Sequence, residues 1–375
     1  MNRVIILGST GSIGCNAIEV IKGLTDHKVV GLAAYGNYRR LGAQAAQLKP
    51  LIVTLVTEKH RGVLRKYVGR AKLYCGEQGI EEMIDRLNAD TIICAMSSSI
   101  GIRGVLRAIE KQMKICLATK EILVNFGSLV MKKARRMRAQ IIPIDSEHSA
   151  IYQCLEGKNK ADVLKIILTA SGGPFLRRSL ENVKKKDVLN HPVWKMGRKI
   201  TVDSATMMNK GLEVIEAYHL FDFPVHMIKV VVHPEAICHS IVQFKDGTAL
   251  AQLSTPDMRL PIQYALTAPN RLQSAVPYLD IARAGQLTFV QPDFRKFRCL
   301  DLAYKALEAG RTMPAVLNTA NEEAVKLFLN DKIKFLQIPR IIEKVINNHQ
   351  PRDGNLECYL QATAWAKERV RSLVC

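Results

Sequence analysis

The sequence predicts an α/β protein: an N-terminal doubly wound parallel sheet, a central α+β region, and a C-terminal helical bundle. Three observations carry this. Apolar runs of strand length alternate with helical stretches over the first 145 residues, the pattern that builds parallel sheets. A glycine-rich turn stands between the first strand and the first helix. From residue 294 onward the apolar spacing is helical only.

In order along the chain, strands are expected at RVIILG, KVVGLAAY, LIVTLV, TIICAM, KICLA and AQIIPI. Helices are expected between them, as in SIGCNAIEVIKGL and IRGVLRAIEKQ. These elements define a first domain, residues 1–145. Residues 146–270 read differently: a strand LKIILTAS leads into a Gly-Gly-Pro loop, a basic stretch and a helix near ATMMNKGLEVIEAYHLF. The apolar runs MIKVVVHPEAICHSIVQF and TALAQLS flank KDG, a hairpin signal. Residues 271–293 read as a linker, and 294–375 as a C-terminal helical domain. No internal repeat is present.

Composition bounds the function. The chain has 375 residues, enough for two or three domains, and a charged fraction of 23 %, ordinary for a globular protein. No apolar stretch is long enough to span a bilayer. MNRVIILGSTGSIG runs straight into a strand, without the h-region of a secretory signal. The nine cysteines are scattered with no CxxC pair, which argues for a reducing compartment. The expected location is the cytoplasm, or an organelle interior after removal of a transit peptide. The net charge of +20 fits either a nucleic-acid binder or an enzyme of phosphorylated ligands. The basic runs Lys132–Arg138 and Lys184–Lys186 lack interleaved aromatic residues, which speaks against nucleic acid.

The turn VIILGSTGSIG sets Gly8, Gly11 and Gly14 three residues apart, with Ser9, Thr10, Ser12 and Ile13 among them. Such a turn permits close backbone approach to a pyrophosphate and aims a helix N-terminus at it, as in Rossmann-like dinucleotide sites. The tip of the second strand reads Tyr35-Gly36-Asn37-Tyr38-Arg39-Arg40, with no acid to accept from a ribose hydroxyl. NADPH is therefore preferred to NADH, with Asn37 or the arginines on the 2′-phosphate. An exposed first helical turn accounts for Arg39 and Arg40 equally well.

PIDSEHSAIYQ sets Asp145 and Glu147 two apart, at what reads as the mouth of a strand, where side chains at i and i+2 point to the same side. Adjacent carboxylates repel unless a proton or cation joins them. On the helix in DSATMMNKGLEVIEA, Asn209 and Glu213 share a face and Lys210 lies close by. Glu213 could complete an all-oxygen site for Mg²⁺ or Mn²⁺. Ser204, Asn209 and Lys210 could hold a phosphate. Spacing alone leaves open an ordinary surface pair at Glu213 and Glu216.

GSTGSIG, ATKE, PIDSEHSAI, SGGPF, HPVWKMGRKITVDSATMMNKGLEVIEA, HPEAICHSIVQF and PDMRLPI together closely resemble the 1-deoxy-D-xylulose 5-phosphate reductoisomerase family. The resemblance is ordered and runs through most of the chain, weakening in the C-terminal helices. It implies an NADPH- and divalent-metal-dependent enzyme of the non-mevalonate isoprenoid pathway, acting as a homodimer on a phosphorylated sugar, with Mg²⁺, Mn²⁺ or Co²⁺. The central domain would then be catalytic and dimerising. Carried over by motif, Asp145, Glu147 and Glu213 are metal ligands, and Lys120 and Ser146 lie beside the chelated end of the substrate. Ser171, Ser204, Asn209 and Lys210 take the phosphate. His191, Trp194 and Met196 close over the substrate, and Met258 lines its pocket. The turn residues Gly8 to Ile13, with Gly36, Asn37, Thr119, Glu121 and Gly197, contact the cofactor, and His191 and Glu147 join Lys120 and Ser146 as catalytic residues. From the residues alone, Trp194 reads as a core side chain and His191 as a loop-surface histidine, and for Met258 a core methionine is nearly as good a reading as a pocket position. The tip at Tyr35-Gly36, the segment AMSSSIGI and Thr119 depart from the family pattern. Two other functions compete: a metal-free NADP-dependent dehydrogenase of the semialdehyde type, and a basic nucleic-acid-binding protein.

Overall fold

A computed structural model describes residues 1–96, 98–190 and 197–374. The chain divides into two compact units. The first comprises Met1–Ile122, Val130–Ser149 and Asp257–Pro277. Its seven strands are β1 (Asn2–Leu7), β2 (His27–Ala34), β3 (Ile52–Leu55), β4 (Lys72–Cys75), β5 (Thr91–Cys94), β6 (Lys114–Leu117) and β7 (Ile141–Pro143). They form one sheet in the order β4-β3-β2-β1-β5-β6-β7, every pairing parallel. In β1, Val4, Ile5, Ile6 and Leu7 have no exposed surface. Consecutive residues point to opposite faces, so both faces of the sheet are covered, which is why its strands read as unbroken apolar runs. β1 lies between β2 and β5, where the winding direction of the sheet reverses. Ligands of open α/β sheets bind at that point, at the carboxyl ends of the strands.

β4 is the one strand of this sheet absent from the sequence reading. It is four residues long, begins with an exposed lysine and has one neighbour. An edge strand need not be apolar on both faces, so it gives little periodic signal.

The second unit comprises Leu123–Leu129, Ala150–Pro256 and Tyr278–Cys375. Its sheet runs β11 (Ala249–Leu253), β10 (Cys238–Phe244), β8 (Val163–Ala170), β9 (Ile228–Val232). β8 and β9 are parallel; β10 is antiparallel to both β8 and β11. The KDG hairpin is thus present. The preceding apolar run splits in two, because His233 turns the chain at HPEAI. Its Nε2 lies 3.2 and 3.1 Å from the amides of Ile237 and Cys238, and its Nδ1 lies 2.9 Å from Thr288 O. Accepting twice at Nε2 fixes the proton on Nδ1, which donates to that carbonyl. The helix Met313–Leu329 packs against Gln337–Asn347 and Leu356–Val374, and Met208–Phe221 packs on Arg298–Ala309. Gly211 permits that last crossing: a Cβ there would sit 2.5 Å from Ala303 Cβ. None of the eight described cysteines is in a disulfide, and among the described residues no helix is long and apolar enough to cross a membrane.

Candidate active site

The glycine turn follows β1. Gly8 has φ +86°, and a Cβ there would meet Ala95 O at 2.2 Å, so only glycine fits. A Cβ at Gly14 would meet Gly8 O at 2.2 Å. The chain therefore folds back on itself and opens the N-terminus of the helix Ser12–Lys22. A partner missed in the sequence locks this turn. Ser9 Oγ donates to Gln44 Oε1 at 2.8 Å, and Gln44 Nε2 donates back to Ser9 O at 2.7 Å. Ser9 is fully buried, so its hydroxyl shapes the turn from within. Arg40 Nη1 donates to Thr10 O at 3.1 Å, bringing a guanidinium to the turn. Asn37 caps the helix Tyr38–Leu48 by accepting from the Arg40 amide, and Gly36 precedes it.

The acids of the first unit follow β7, but not as a strand. β7 ends at Pro143, and the helix Ser146–Leu155 begins one residue after Asp145. The Ser149 amide bonds to Asp145 O at 2.8 Å, and the Ser146 amide donates to Asp145 Oδ1 at 3.1 Å. The expected i, i+2 strand geometry is therefore replaced by a helix start, because the Asp145 side chain takes the first free amide and its carbonyl accepts the Ser149 amide. Glu147 lies in the first helical turn, where Ser146 Oγ donates to its Oε2 at 2.5 Å. Lys120 Nζ lies 2.8 Å from Asp145 Oδ2, and His148 Nδ1 lies 3.6 Å from the same oxygen. His148 is fully buried; its i+3 spacing from Asp145 on a helix was the available signal for it. Burial alone would raise the Asp145 carboxyl, but the Lys120 ammonium and then His148 outweigh it and hold the group well below the usual carboxylate range. Thr119, before Lys120, sets its hydroxyl 2.9 Å from Met96 O and 3.2 Å from Cys94 O. Glu121 occupies the first turn of the helix Lys120–Met137.

In the second unit, Asn209, Lys210 and Glu213 lie on the helix Met208–Phe221. Asn209 Nδ2 donates to Glu213 Oε1 at 2.5 Å, and Lys210 Nζ pairs with Glu213 Oε2. Glu213 is 1 % exposed and Glu216 has no exposed surface, so neither belongs to a surface pair. Buried carboxylates persist only when paired and hydrogen-bonded. Asp203, one turn before the helix break at Met207, is likewise buried, 3.0 Å from Lys199 Nζ and bonded by Asn321 Nδ2 at 2.8 Å. The Gly-Gly loop after β8 lies against this region: a Cβ at Gly173 would stand 2.8 Å from Ser204 O. Ser171 and Ser204 are both half-buried, and the Gly173 amide donates to Ser171 Oγ at 3.4 Å.

Gly197 is exposed and caps the helix Arg198–Ala205. Met258 is half-buried at the start of the helix Arg259–Thr267 in the first unit, so it is not a core methionine. His191, Trp194 and Met196 lie outside the described residues.

Family profiles match three stretches: residues 4–127 as 1-deoxy-D-xylulose 5-phosphate reductoisomerase, 141–221 as the C-terminal domain of that enzyme, and 253–369 as the DXP reductoisomerase C-terminal domain. The chain is 49 % identical over 380 residues to the 1-deoxy-D-xylulose 5-phosphate reductoisomerase of Acetivibrio thermocellus, covering all of both chains. It is 47 % identical to that of Caldanaerobacter subterraneus, over 99 % of this chain and 98 % of the relative. A solved reductoisomerase from Zymomonas mobilis in complex with NADPH superposes with a TM-score of 0.94 at 36 % identity, covering 100 % of this chain and 99 % of that one. A second, in complex with NADPH, fosmidomycin and magnesium, gives 0.93 at 38 % identity, covering 100 % and 97 %.

Proposed function

The chain belongs to the 1-deoxy-D-xylulose 5-phosphate reductoisomerase family, and from that premise we propose its reaction. It isomerises and reduces 1-deoxy-D-xylulose 5-phosphate to 2-C-methyl-D-erythritol 4-phosphate with NADPH and a divalent metal ion, a step of the non-mevalonate route to isoprenoid precursors. The observation that supports this most is identity of 49 % to a reductoisomerase across the whole chain.

The residues fit both groups. The turn at Gly8 to Ile13 runs into the N-terminus of the helix Ser12–Lys22, where a pyrophosphate would meet its first amides, and Arg40 stands beside it for a 2′-phosphate. Asp145, Glu147 and Glu213 offer carboxylate oxygens, the donors that suit Mg²⁺ or Mn²⁺. When bound, the ion would polarise the substrate's carbonyl and hydroxyl oxygens as a Lewis acid. Lys120 holds Asp145 ionised and would stabilise negative charge developing on those oxygens. Ser146 orients Glu147. Asn209 and Lys210 orient Glu213, and with Ser171 and Ser204 they are the amide, ammonium and hydroxyl groups that would take the substrate phosphate. His191, Trp194 and Met196 would cover the sugar and exclude water.

We further propose a homodimer assembled through the hairpin of β10 and β11. The outer strand β11 is an edge, and Leu250 is 41 % exposed on it. Sedimentation at micromolar concentration tests the dimer. The expected compartment is the bacterial cytosol. The reaction is tested by mixing the protein with 1-deoxy-D-xylulose 5-phosphate, NADPH and Mn²⁺ and following the reduced-nicotinamide absorbance. Oxidation that stops with excess EDTA and returns with Mn²⁺ supports the reading. Oxidation indifferent to chelator would point to the metal-free dehydrogenase instead.

A further inference from the structure

The basic residues of this chain do not all have the same company. Arg107 lies 2.6 Å from Asp85 and 2.7 Å from Glu110, Lys133 2.5 Å from Glu110, and Arg298 2.6 Å from Asp301. At the free edge of the parallel sheet the situation differs. A recess of about 550 Å³ beside β4 is lined by Arg61, Arg65, Arg70 and Lys72, with Gly62 and Tyr74. No acidic residue lines it. Among the described residues, none of these four cations has a carboxylate within 4.0 Å. Arg65 Nη1 donates to Ala71 O at 2.9 Å, which fixes one wall. Gly62 meets nothing within 4 Å of where a Cβ would be, so the wall beside it is open.

Four like charges around one recess repel each other, and that repulsion is relieved by an anion carrying several charges. The volume lies within the usual range of small-ligand sites and is large for a single phosphate. Guanidinium forks match phosphate oxygens two at a time. We propose that this recess binds a linear oligophosphate, at a site distinct from the glycine turn that follows β1. The four cations neutralise successive phosphates, and the Tyr74 ring forms an apolar side of the recess. The chemistry does not require a nucleoside. None of these residues belongs to the turn, to the acids at Asp145 and Glu147, or to the Ser171 to Glu213 set, so the site is separable from turnover.

The experiment uses the whole protein saturated with NADPH, so that the dinucleotide turn is filled. Inorganic tripolyphosphate is titrated calorimetrically at 50 mM and 200 mM salt, beside orthophosphate and ATP. Tripolyphosphate should bind at least tenfold more tightly than orthophosphate and weaken as salt rises. ATP should bind no more tightly than tripolyphosphate. The variant Arg70→Glu/Lys72→Glu should weaken tripolyphosphate at least tenfold while leaving KM for NADPH and for the sugar phosphate unchanged; Arg70→Gln/Lys72→Gln should fall between. Undiminished binding in both variants would overturn the proposal and assign the anion to the turn or the substrate site. So would wild-type protein that takes up no tripolyphosphate at 50 mM salt, or that prefers ATP tenfold.

Discussion

Lys120 Nζ stands 2.8 Å from Asp145 Oδ2, a lysine at the start of one helix against an aspartate just before another. Both are largely buried, at 12 % and 16 % side-chain exposure. Removing one partner leaves the other charge poorly solvated. Lys120→Met should lower kcat by about 100-fold or more, the scale of a lost electrostatic stabiliser. It should also lower Tm without metal and enlarge the Tm gain on adding Mn²⁺, because the ion then carries the compensation alone. Thermal melts with and without Mn²⁺ check this; an unchanged metal increment would detach Lys120 from the metal site.

Glu213 is held from its own helix by Asn209 and Lys210. Glu213→Gln keeps the volume and removes the charge, so turnover should vanish while NADPH Kd, read by fluorescence, stays within about twofold, since the glycine turn is elsewhere. Lys210→Ala should raise KM for the phosphorylated sugar and, by freeing Glu213, also lower kcat. A change in KM alone would restrict Lys210 to the phosphate.

The Ser9 and Gln44 pair predicts a defect confined to the cofactor. Gln44→Ala leaves the buried Ser9 hydroxyl without its partner, at about 1–3 kcal/mol, and leaves the Ser9 carbonyl only the weak Cys15 Sγ donor at 3.6 Å. KM for NADPH should rise about tenfold and KM for the sugar phosphate should not. Equal changes in both would mean that the turn is not what moved.

His349 sets a pH dependence. Its Nε2 lies 2.8 Å from Thr312 Oγ1, its ring packs on Trp365 with centroids 5.0 Å apart, and burial followed by the Arg352 charge lowers its pKa. The unfolded histidine titrates near about 6.5. Between the lowered folded value and about 6.5 the unfolded chain binds more protons, so this group's contribution is complete above about pH 6.5 and is lost as pH falls through the folded value. The urea midpoint should therefore fall from pH 7 to pH 5.5, and less steeply in His349→Gln. Parallel slopes for the two proteins would remove His349 from the account.

Much of this architecture was legible because parallel strands buried on both faces are apolar throughout. β1, β2, β3 and β5 stand out for that reason, while β4, short and at the edge, does not. The helix carrying Asn209 and Glu213 was legible from its four-residue spacing, and the structure adds that the acid is buried. Asp145 and Glu147 were found by type but given the wrong local geometry. An apolar run cannot show that its strand ends one residue early, at Pro143, nor that Asp145 supplies the first bonds of a helix. Gln44 was missed because its partner Ser9 is 35 residues away, which sequence spacing does not display, whereas His148 was legible only once the segment after Asp145 is read as a helix, which sets it one turn from that acid.

The central claim is that one divalent ion is held by Asp145, Glu147 and Glu213. Mn²⁺ titration followed by electron paramagnetic resonance tests it most directly, in wild-type protein and in Asp145→Asn, Glu147→Gln and Glu213→Gln. The account predicts one tight equivalent in the wild type and its loss, by at least tenfold in affinity, in each variant. Full-affinity Mn²⁺ binding in any one of the three would contradict it.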